Sequence, residues 1–265
     1  MIKVGLIGLG NWGKILHKRL KPICDVKFVC NSKDNYKTKL DLVDWVFVAT
    51  PNDTHFNIVK YCLQLKKNVF CEKPLTLSYK KSKILLNLAK KYGVKLYVSD
   101  VFNYRKERKN IKDITKPIKV IWNKVSNNTL YDLMYHDLYL LWPYWVHSDN
   151  IEFSYGETND KTHKINDVNF TNTKNSNDAL LDMIKEVLYG EPDYEYNKTI
   201  SLMCNKVIDN NKKTMKITNL WNKLRILSGN ILEVKVRLGK IILLDLFLST
   251  SRIKLMILNI GFESK

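Results

Sequence analysis

Acidic residues are scarce in this chain: 26 Asp and Glu stand against 44 Lys and Arg, a formal net charge of +18 over 265 residues. The excess could reflect nucleic-acid binding, attraction of anionic substrates, or the codon bias of an AT-rich genome, and the many Lys, Asn, Ile and Tyr favour the last. Lys is spread along the first 210 residues and forms no basic stripe there. We therefore do not expect a nucleic-acid partner.

Paired cysteines and long apolar runs are also missing. The five cysteines are an odd number without a C-x-x-C spacing, and no signal peptide is recognisable, so we expect a cytoplasmic location and no structural metal. The apolar run Ile241–Leu248 is broken by Asp245 and is too short to span a bilayer. These absences predict no membrane partner.

Glycine is rare too, with ten in the chain, yet three of them fall in Gly8-Leu9-Gly10-Asn11-Trp12-Gly13. The apolar run Lys3–Ile7 before this turn predicts a buried strand, and the residues after it predict a helix. A G-x-G-x-x-G turn in that context indicates a dinucleotide site: the first glycine allows a tight bend, the second lets the backbone approach a pyrophosphate, and the third brings helix and strand together. The amide groups and dipole of the helix N-terminus would hold the phosphates.

The first hundred residues alternate between strand and helix patterns. Further strands are predicted at 26–30, 45–49, 68–71 and 94–98, and helices are predicted after the strands at 45–49 and 68–71. Such alternation predicts a doubly wound parallel sheet. The second strand ends in Asn31-Ser32-Lys33: Asn31 and Ser32 could bind a ribose 2′-hydroxyl, whereas Lys33 could accept a 2′-phosphate, so NAD and NADP both stay open.

Three segments carry a family resemblance. In order and spacing, the glycine turn, Ala49-Thr50-Pro51-Asn52-Asp53-Thr54-His55 and Cys71-Glu72-Lys73-Pro74-Leu75 resemble the glucose–fructose oxidoreductase / inositol dehydrogenase / MocA (Gfo/Idh/MocA) family. The resemblance implies a Rossmann domain followed by an α+β domain with an open antiparallel sheet. It also implies oxidation or reduction of a sugar or cyclitol carbon with NAD or NADP, and pairing into a homo-oligomer. The cofactor contacts are then expected from Gly8, Gly10, Asn11, Trp12, Gly13, Asn31, Ser32, Thr50, Pro51, Asn52, His55, Glu72 and Lys73.

The second half carries the other expected site residues. Asp132 and His136 are four residues apart, so on a helix they share one face. This resembles the catalytic Asp-x-x-x-His helix of the same family, and the His-Asp dipeptide is similar to its sugar-nucleotide branch. The resemblance implies that His136 is the general base, that Lys73 lies between nicotinamide and substrate, and that Asp132 orients the substrate hydroxyl or tunes His136. Without it, the pair would indicate a solvated Asp and a core His. Asp137, pointing about 100° away, is expected to be a cap or surface residue.

The chain also departs from the family pattern. Few strands are predicted between the catalytic helix and a later helix at 175–188; the candidates lie at 151–155 and 167–170. The glycines that usually precede the catalytic helix are replaced by Asn128-Thr129. We expect three parts: a Rossmann domain at 1–100, a shortened substrate domain at 101–210 and a basic extension at 211–265. From Lys212 onward eleven Lys and Arg stand against three Asp and Glu. The apolar runs 231–236, 241–248 and 253–260 could be strands of an added sheet, an aggregation-prone extension, or part of a basic phosphate-facing patch.

The leading hypothesis is an NAD(P)-dependent oxidoreductase acting on a sugar or sugar nucleotide. A competing one is a catalytically silent binding or regulatory protein that keeps the Rossmann domain, which the shortened second domain favours. Nucleic-acid binding through the basic tail is a third.

Overall fold

The structure is a computed structural model that describes residues 1–111, 118–124, 130–145, 151–156, 161–171, 178–209, 236–237, 243–248 and 251–256. The chain divides into two compact units. Unit 1 comprises Met1–Arg105 and Asn177–Asp209, and unit 2 comprises Lys106–Ser176 and Asn210–Lys265. Among the described residues no helix is long and apolar enough to cross a membrane.

Unit 1 is built on a five-stranded sheet. Its strands are β1 (Lys3–Ile7), β2 (Asp25–Cys30), β3 (Trp45–Val48), β4 (Asn68–Cys71) and β5 (Leu96–Val98). Every neighbouring pair is parallel, in the order β2-β1-β3-β4-β5. The chain leaves β1 for β2 on one side and then returns to β3 on the other, so the topological switch point lies between β1 and β3.

Helices cover both faces of this sheet, as a doubly wound fold requires. They are α1 (Asn11–Leu20), α2 (His55–Gln64), α3 (Tyr79–Tyr92) and α6 (Ala179–Tyr189), with a further helix, α7, at residues 194–209. Because side chains alternate along a strand, Val46 and Val48 pack with Val59 of α2 and Leu85 of α3, whereas other sheet residues pack with Leu16 of α1 and with α6. The predicted Rossmann sheet is confirmed.

Local signals set the helix ends. Gly93 has φ +64° and ends α3, because a left-handed residue that stops a helix is least strained when it lacks Cβ. Lys90 and Lys91 lie in the last turn, at the negative end of the helix dipole. The short stretch before β3 forms the 3₁₀ helix Lys37–Leu42 in place of a full helix.

Residues 178–209 pack in unit 1. Asn197 of α7 lies at the edge strand β5, where its side-chain amide donates to Val98 O and its oxygen accepts from Val98 N, both at 2.9 Å. Met183 and Ile184 of α6 are fully buried in the sheet core. These residues fall within the range predicted for the second domain, and the ranges 1–100, 101–210 and 211–265 stay a prediction about independent domains.

Unit 2 is built on a second five-stranded sheet, in the order β10-β7-β6-β8-β9. These strands are β6 (Ile118–Asn123), β7 (Ile151–Gly156), β8 (Thr162–Ile165), β9 (Val168–Asn169) and β10 (Val236–Arg237). The expected open sheet is therefore present, and it is mixed: β6 and β7 run parallel while the other pairs are antiparallel. The reason is the helical connection between β6 and β7, because a crossover returns the chain in the same direction.

That connection begins with the π-helical turn Leu130–Met134 and continues as α4 (Tyr135–Leu140) and α5 (Trp142–Trp145). In the tail, β11 (Leu243–Leu248) and β12 (Ser251–Met256) form an antiparallel hairpin, which is one of the three alternatives raised for this segment. Asn128-Thr129 and most of the first predicted tail run, 231–236, lie outside the described residues.

Candidate active site

The predicted cofactor residues follow the strands of unit 1. Gly8 follows β1, Asn31 follows β2, Thr50 lies two residues beyond β3, and Glu72 follows β4. Because all strands are parallel, their carboxyl ends lie at one edge of the sheet, where open α/β sheets bind ligands. The structure therefore brings these four segments to the same edge.

The three glycines of the turn differ in their surroundings. A Cβ on Gly8 would lie 2.3 Å from Ala49 O, and Gly8 has φ +103°. A Cβ on Gly13 would lie 2.0 Å from Gly8 O. A Cβ on Gly10 would meet no atom within 4 Å. Gly8 and Gly13 are thus required by the fold, whereas Gly10 faces open space.

The helix that starts at this turn has an uncapped N-terminus within the described part of the chain. Gly10 is its N-cap residue, with no side-chain hydrogen bond, and its first turn holds no acidic residue. Asn11 and Trp12 are exposed in that turn. Its first backbone N–H groups and positive dipole end therefore suit an anion.

The turn after β2 is exposed and folded on itself. The carboxylate of Asp34 accepts a hydrogen bond from Asn31 N at 2.7 Å, and the side chain of Asn31 accepts one from Lys33 N at 2.8 Å. Ser32 and Lys33 are exposed beside them. Asp34, the acidic residue nearest to the end of β2, is thus held by the backbone of its own turn.

The turn after β3 is tied to the turn after β4 by His55. The His55 ring is fully buried, with Nδ1 2.8 Å from Pro74 O and Nε2 2.9 Å from Thr50 O. Burial lowers the pKa of His55, against the opposing effect of the two carbonyl groups. Any contribution of this ring to cofactor binding therefore acts through the two backbone turns. Pro51 is exposed and Asn52 half-buried in the first of them.

Glu72 and Lys73 lie side by side at the end of β4. Glu72 is 8% exposed, and its Oε1 has no hydrogen-bond partner among the described residues. Burial raises the pKa of Glu72, while the Trp12 indole and the Lys73 ammonium lower it in part. Lys73 is half-buried. The site thus combines a buried acceptor and a cation next to the glycine turn.

These features fit a dinucleotide. The open space at Gly10 and the uncapped helix suit a pyrophosphate, and the buried Glu72 oxygen offers an acceptor for a ligand hydroxyl. Within the described ranges no group of His, Cys, Asp and Glu could hold a metal ion.

The other predicted site residues lie in unit 2. Asp132 is in the π-helical turn and His136 is in the first turn of α4, and both are half-buried. The Nδ1 atom of His136 lies 2.8 Å from the hydroxyl of Tyr139. The continuous α-helix expected here is interrupted, yet a spacing of four still keeps Asp132 and His136 near one side of the segment.

Asp137 is not a cap or surface residue: it is fully buried and binds two side chains. Trp122 Nε1 donates to its Oδ2, and His163 Nε2 lies 2.7 Å from its Oδ1. The expectation was wrong because helix geometry gives the direction of a residue relative to its neighbour but not which direction is covered by the sheet. Sequence reasoning missed Trp122 and His163. A signal for Trp122 was present, because Ile118, Val120 and Trp122 alternate with more exposed residues along β6 and therefore share one face.

Comparison with known proteins supports the resemblance. The model of the Gfo/Idh/MocA oxidoreductase family, NAD-binding Rossmann fold, matches residues 17–100. The myo-inositol 2-dehydrogenase of Thermotoga maritima is 31% identical over 139 residues, which cover 44% of this chain and 41% of that protein. The 2,7-anhydro-N-acetylneuraminate hydratase of Escherichia coli is 30% identical over 122 residues, 39% of this chain and 33% of that one. The chain thus spans about a third to two fifths of the length of these curated relatives.

Solved structures share the fold more extensively. The WlbA (WbpB) dehydrogenase of Thermus thermophilus, solved with NAD and UDP-GlcNAcA, has a TM-score of 0.63 at 14% identity and covers 78% of this chain and 94% of its own. The resemblance to the Gfo/Idh/MocA family and the two-part α/β fold are therefore confirmed. The roles of individual site residues stay predictions.

Proposed function

We propose that this chain, whose residues 17–100 match the NAD-binding Rossmann model of the Gfo/Idh/MocA oxidoreductases, transfers hydride between NAD or NADP and a carbinol or ketone carbon of a sugar or sugar nucleotide. The observation that carries the proposal is the edge of the first sheet, where an open glycine turn lies beside a buried carboxyl and a half-buried lysine. The WlbA (WbpB) dehydrogenase, a structural neighbour solved with NAD and UDP-GlcNAcA, supports the substrate class. The net charge of +18 would favour an anionic substrate.

The residue roles follow from the chemistry. A bound nicotinamide supplies the hydride acceptor or donor. His136 would take the hydroxyl proton as the carbinol is oxidised, because imidazole titrates nearest to neutral pH. Lys73 would place positive charge where alkoxide character develops, and Asp132 would orient the hydroxyl or tune His136. A homo-oligomer and a cytoplasmic location belong to the proposal as well.

Cofactor binding is tested with a matched pair of glycine variants. Gly10→Ala adds a methyl group in open space, so it should leave the unfolding midpoint nearly unchanged. It should weaken NADH binding about tenfold, which corresponds to the loss of one ordinary contact. Gly93→Asn, at the distant end of α3, is the control: Asn tolerates its left-handed φ, and NADH affinity should match wild type. NADH fluorescence gives both affinities, and parallel NADPH titrations decide between the two cofactors.

Turnover is tested with Lys73→Met and His136→Asn. Each should lower the rate of absorbance change at 340 nm with a panel of UDP-sugars and myo-inositol by about 100-fold or more. His136→Asn should retain the wild-type NADH affinity. Failure of the wild-type protein to bind NADH or NADPH at millimolar levels would refute the proposal that it uses a nicotinamide cofactor. Normal binding without hydride transfer to any substrate of the panel would favour the silent binding protein.

A further inference from the structure

A buried polar cluster in unit 2 lies directly beside the proposed base. It consists of Asp137 of α4, Trp122 of β6 and His163 of β8, which are 0%, 7% and 1% exposed. The Asp137 carboxylate accepts from Trp122 Nε1 through Oδ2 and contacts His163 Nε2 through Oδ1, each at 2.7 Å. One carboxylate therefore joins a helix to two strands.

The strand register explains why both ring nitrogens reach the same carboxylate. Trp122 and His163 are direct partners in the antiparallel β6–β8 pair. Their rings stack with centroids 3.8 Å apart and planes inclined by 12°, and Phe170 packs at 5.4 Å from the His163 ring. Cross-strand stacking of this kind fixes both rings, so the position of their N–H groups is set by the sheet.

A buried carboxylate at this position is not needed to pack the helix stably against the sheet. Burying it is unfavourable unless its oxygens are hydrogen-bonded, and an apolar side chain of similar volume commonly packs as stably. What the carboxylate adds is direction, because both of its hydrogen bonds are geometrically restrictive. The cluster therefore specifies how α4 is rotated on the sheet.

The rotation of α4 matters because His136 is the preceding residue. Successive residues are about 100° apart around a helix, so fixing Asp137 against the sheet directs His136 to the adjacent, half-buried side, where its Nδ1 lies near the Tyr139 hydroxyl. A helix rotation of about 10° at a side-chain radius of about 5–6 Å moves a ring by about 1 Å. A displacement of that size at a reacting group lowers a rate by about 100-fold.

We propose that Asp137 is a positioning residue that aims His136 by holding α4 to Trp122 and His163. The expected effect on the reaction rate rests on the proposed function, whereas the expected effect on the position of His136 does not.

The test compares Asp137→Leu, which has no acceptor, with Asp137→Asn, which keeps an acceptor for the Trp122 indole and an amide for the His163 ring. Asp167→Asn, on the exposed β8–β9 turn, is the control. Asp137→Leu should lower kcat by about 100-fold, Asp137→Asn should recover most of that loss, and NADH affinity should change by less than about twofold because the glycine turn lies in the other unit. Circular dichroism establishes that each variant is folded.

A second readout needs no substrate. In protein labelled with ¹⁵N-Trp and ¹³C-His, the Trp122 indole N–H should exchange slowly in wild type and at least about tenfold faster in Asp137→Leu, where its acceptor is gone, and the His136 ring signals should move. Trp122→Phe, which removes only one donor, should move the His136 signals in the same direction if Asp137→Leu proves too unstable. Unmoved His136 signals in folded Asp137→Leu and Trp122→Phe would overturn the proposal. A wild-type protein without turnover would instead overturn the proposed function, while these spectra would still decide the role of Asp137.

Discussion

Removing the His55 ring should loosen two turns of the candidate cofactor site at once. The ring is fully buried, and its two nitrogens lie 2.8 and 2.9 Å from carbonyl oxygens of Pro74 and Thr50. A neutral imidazole carries one N–H, so it donates to one carbonyl only. In His55→Ala that carbonyl loses its donor, at a cost of about 1–3 kcal/mol. The cavity left by the ring adds to this, and we expect a total of about 3 kcal/mol.

The same residue predicts how stability depends on pH. Burial lowers the folded-state pKa of His55 below its ordinary value of 6.5, so the unfolded chain binds more protons than the folded one between these two values. The free energy of unfolding should therefore be fully retained above pH 6.5 and decrease as the pH falls below it. The slope from this one group is at most about 1.4 kcal/mol per pH unit. Asp53 raises the pKa of His55 and Lys73 lowers it, without reversing the direction.

Two isosteric variants separate the contacts from the charge. In His55→Asn the amide nitrogen can replace Nδ1 near Pro74 O, and in His55→Gln it can replace Nε2 near Thr50 O; neither side chain titrates. Both should be more stable than His55→Ala and should lose the acid-side slope that wild type shows. His17→Gln, on α1, is the control for removing a histidine elsewhere in unit 1.

The assay is thermal unfolding from pH 5 to 8, together with hydrogen exchange of peptides that cover residues 50–55 and 72–76. A loss of about 3 kcal/mol should lower the midpoint by about 6–12 °C in a chain of this size, and both peptides should exchange faster in His55→Ala. The reasoning is refuted if His55→Ala unfolds at the wild-type midpoint, or if wild type and the two isosteric variants show the same slope below pH 6.5.

Three further predictions concern unit 1. Gly13→Ala should lower the unfolding free energy by about 1–3 kcal/mol, because its Cβ would lie 2.0 Å from Gly8 O; an unfolding midpoint equal to that of Gly10→Ala would contradict the tight packing. Asp209→Ala should destabilise α3 by about 1 kcal/mol, because Asp209 Oδ2 accepts from Tyr79 N at 2.7 Å; calorimetry measures it, and an unchanged midpoint would be evidence against that cap. Burial raises the pKa of the Cys62 thiol to about 12 and that of the Cys71 thiol well above its ordinary value. A disulfide reagent should therefore label neither thiol in native protein at pH 8 and both in denaturant. Fast labelling of the native protein would contradict their burial.

The periodic part of the fold was predictable because local forces decide it. The apolar run Lys3–Ile7 and the glycine turn after it predicted β1 and α1. The second sheet was harder to predict: β8 contains His163 between Thr162 and Lys164, and its strand pattern is weak. Its pairing with β6 supplies the stabilisation that the local sequence lacks.

The candidate site divides in the same way. The glycine turn and the Glu72-Lys73-Pro74 segment were found from sequence because their residue types and order are characteristic of a nucleotide site. The partners of His55 and Asp137 were not found, since Pro74 lies 19 residues from His55, and His163 lies 26 from Asp137. Nothing in the neighbouring residues marks such pairs.

Sequence alone determined that the chain begins with a nucleotide-binding pattern, because strand period, glycine spacing and helix caps act over a few residues. Only the tertiary structure decided that α6 and α7 belong to the unit of the first sheet, that Gly10 faces open space while Gly13 does not, and that the carboxylate beside His136 is buried. Each of these depends on which surfaces the folded chain brings together, and burial is a property of that whole arrangement.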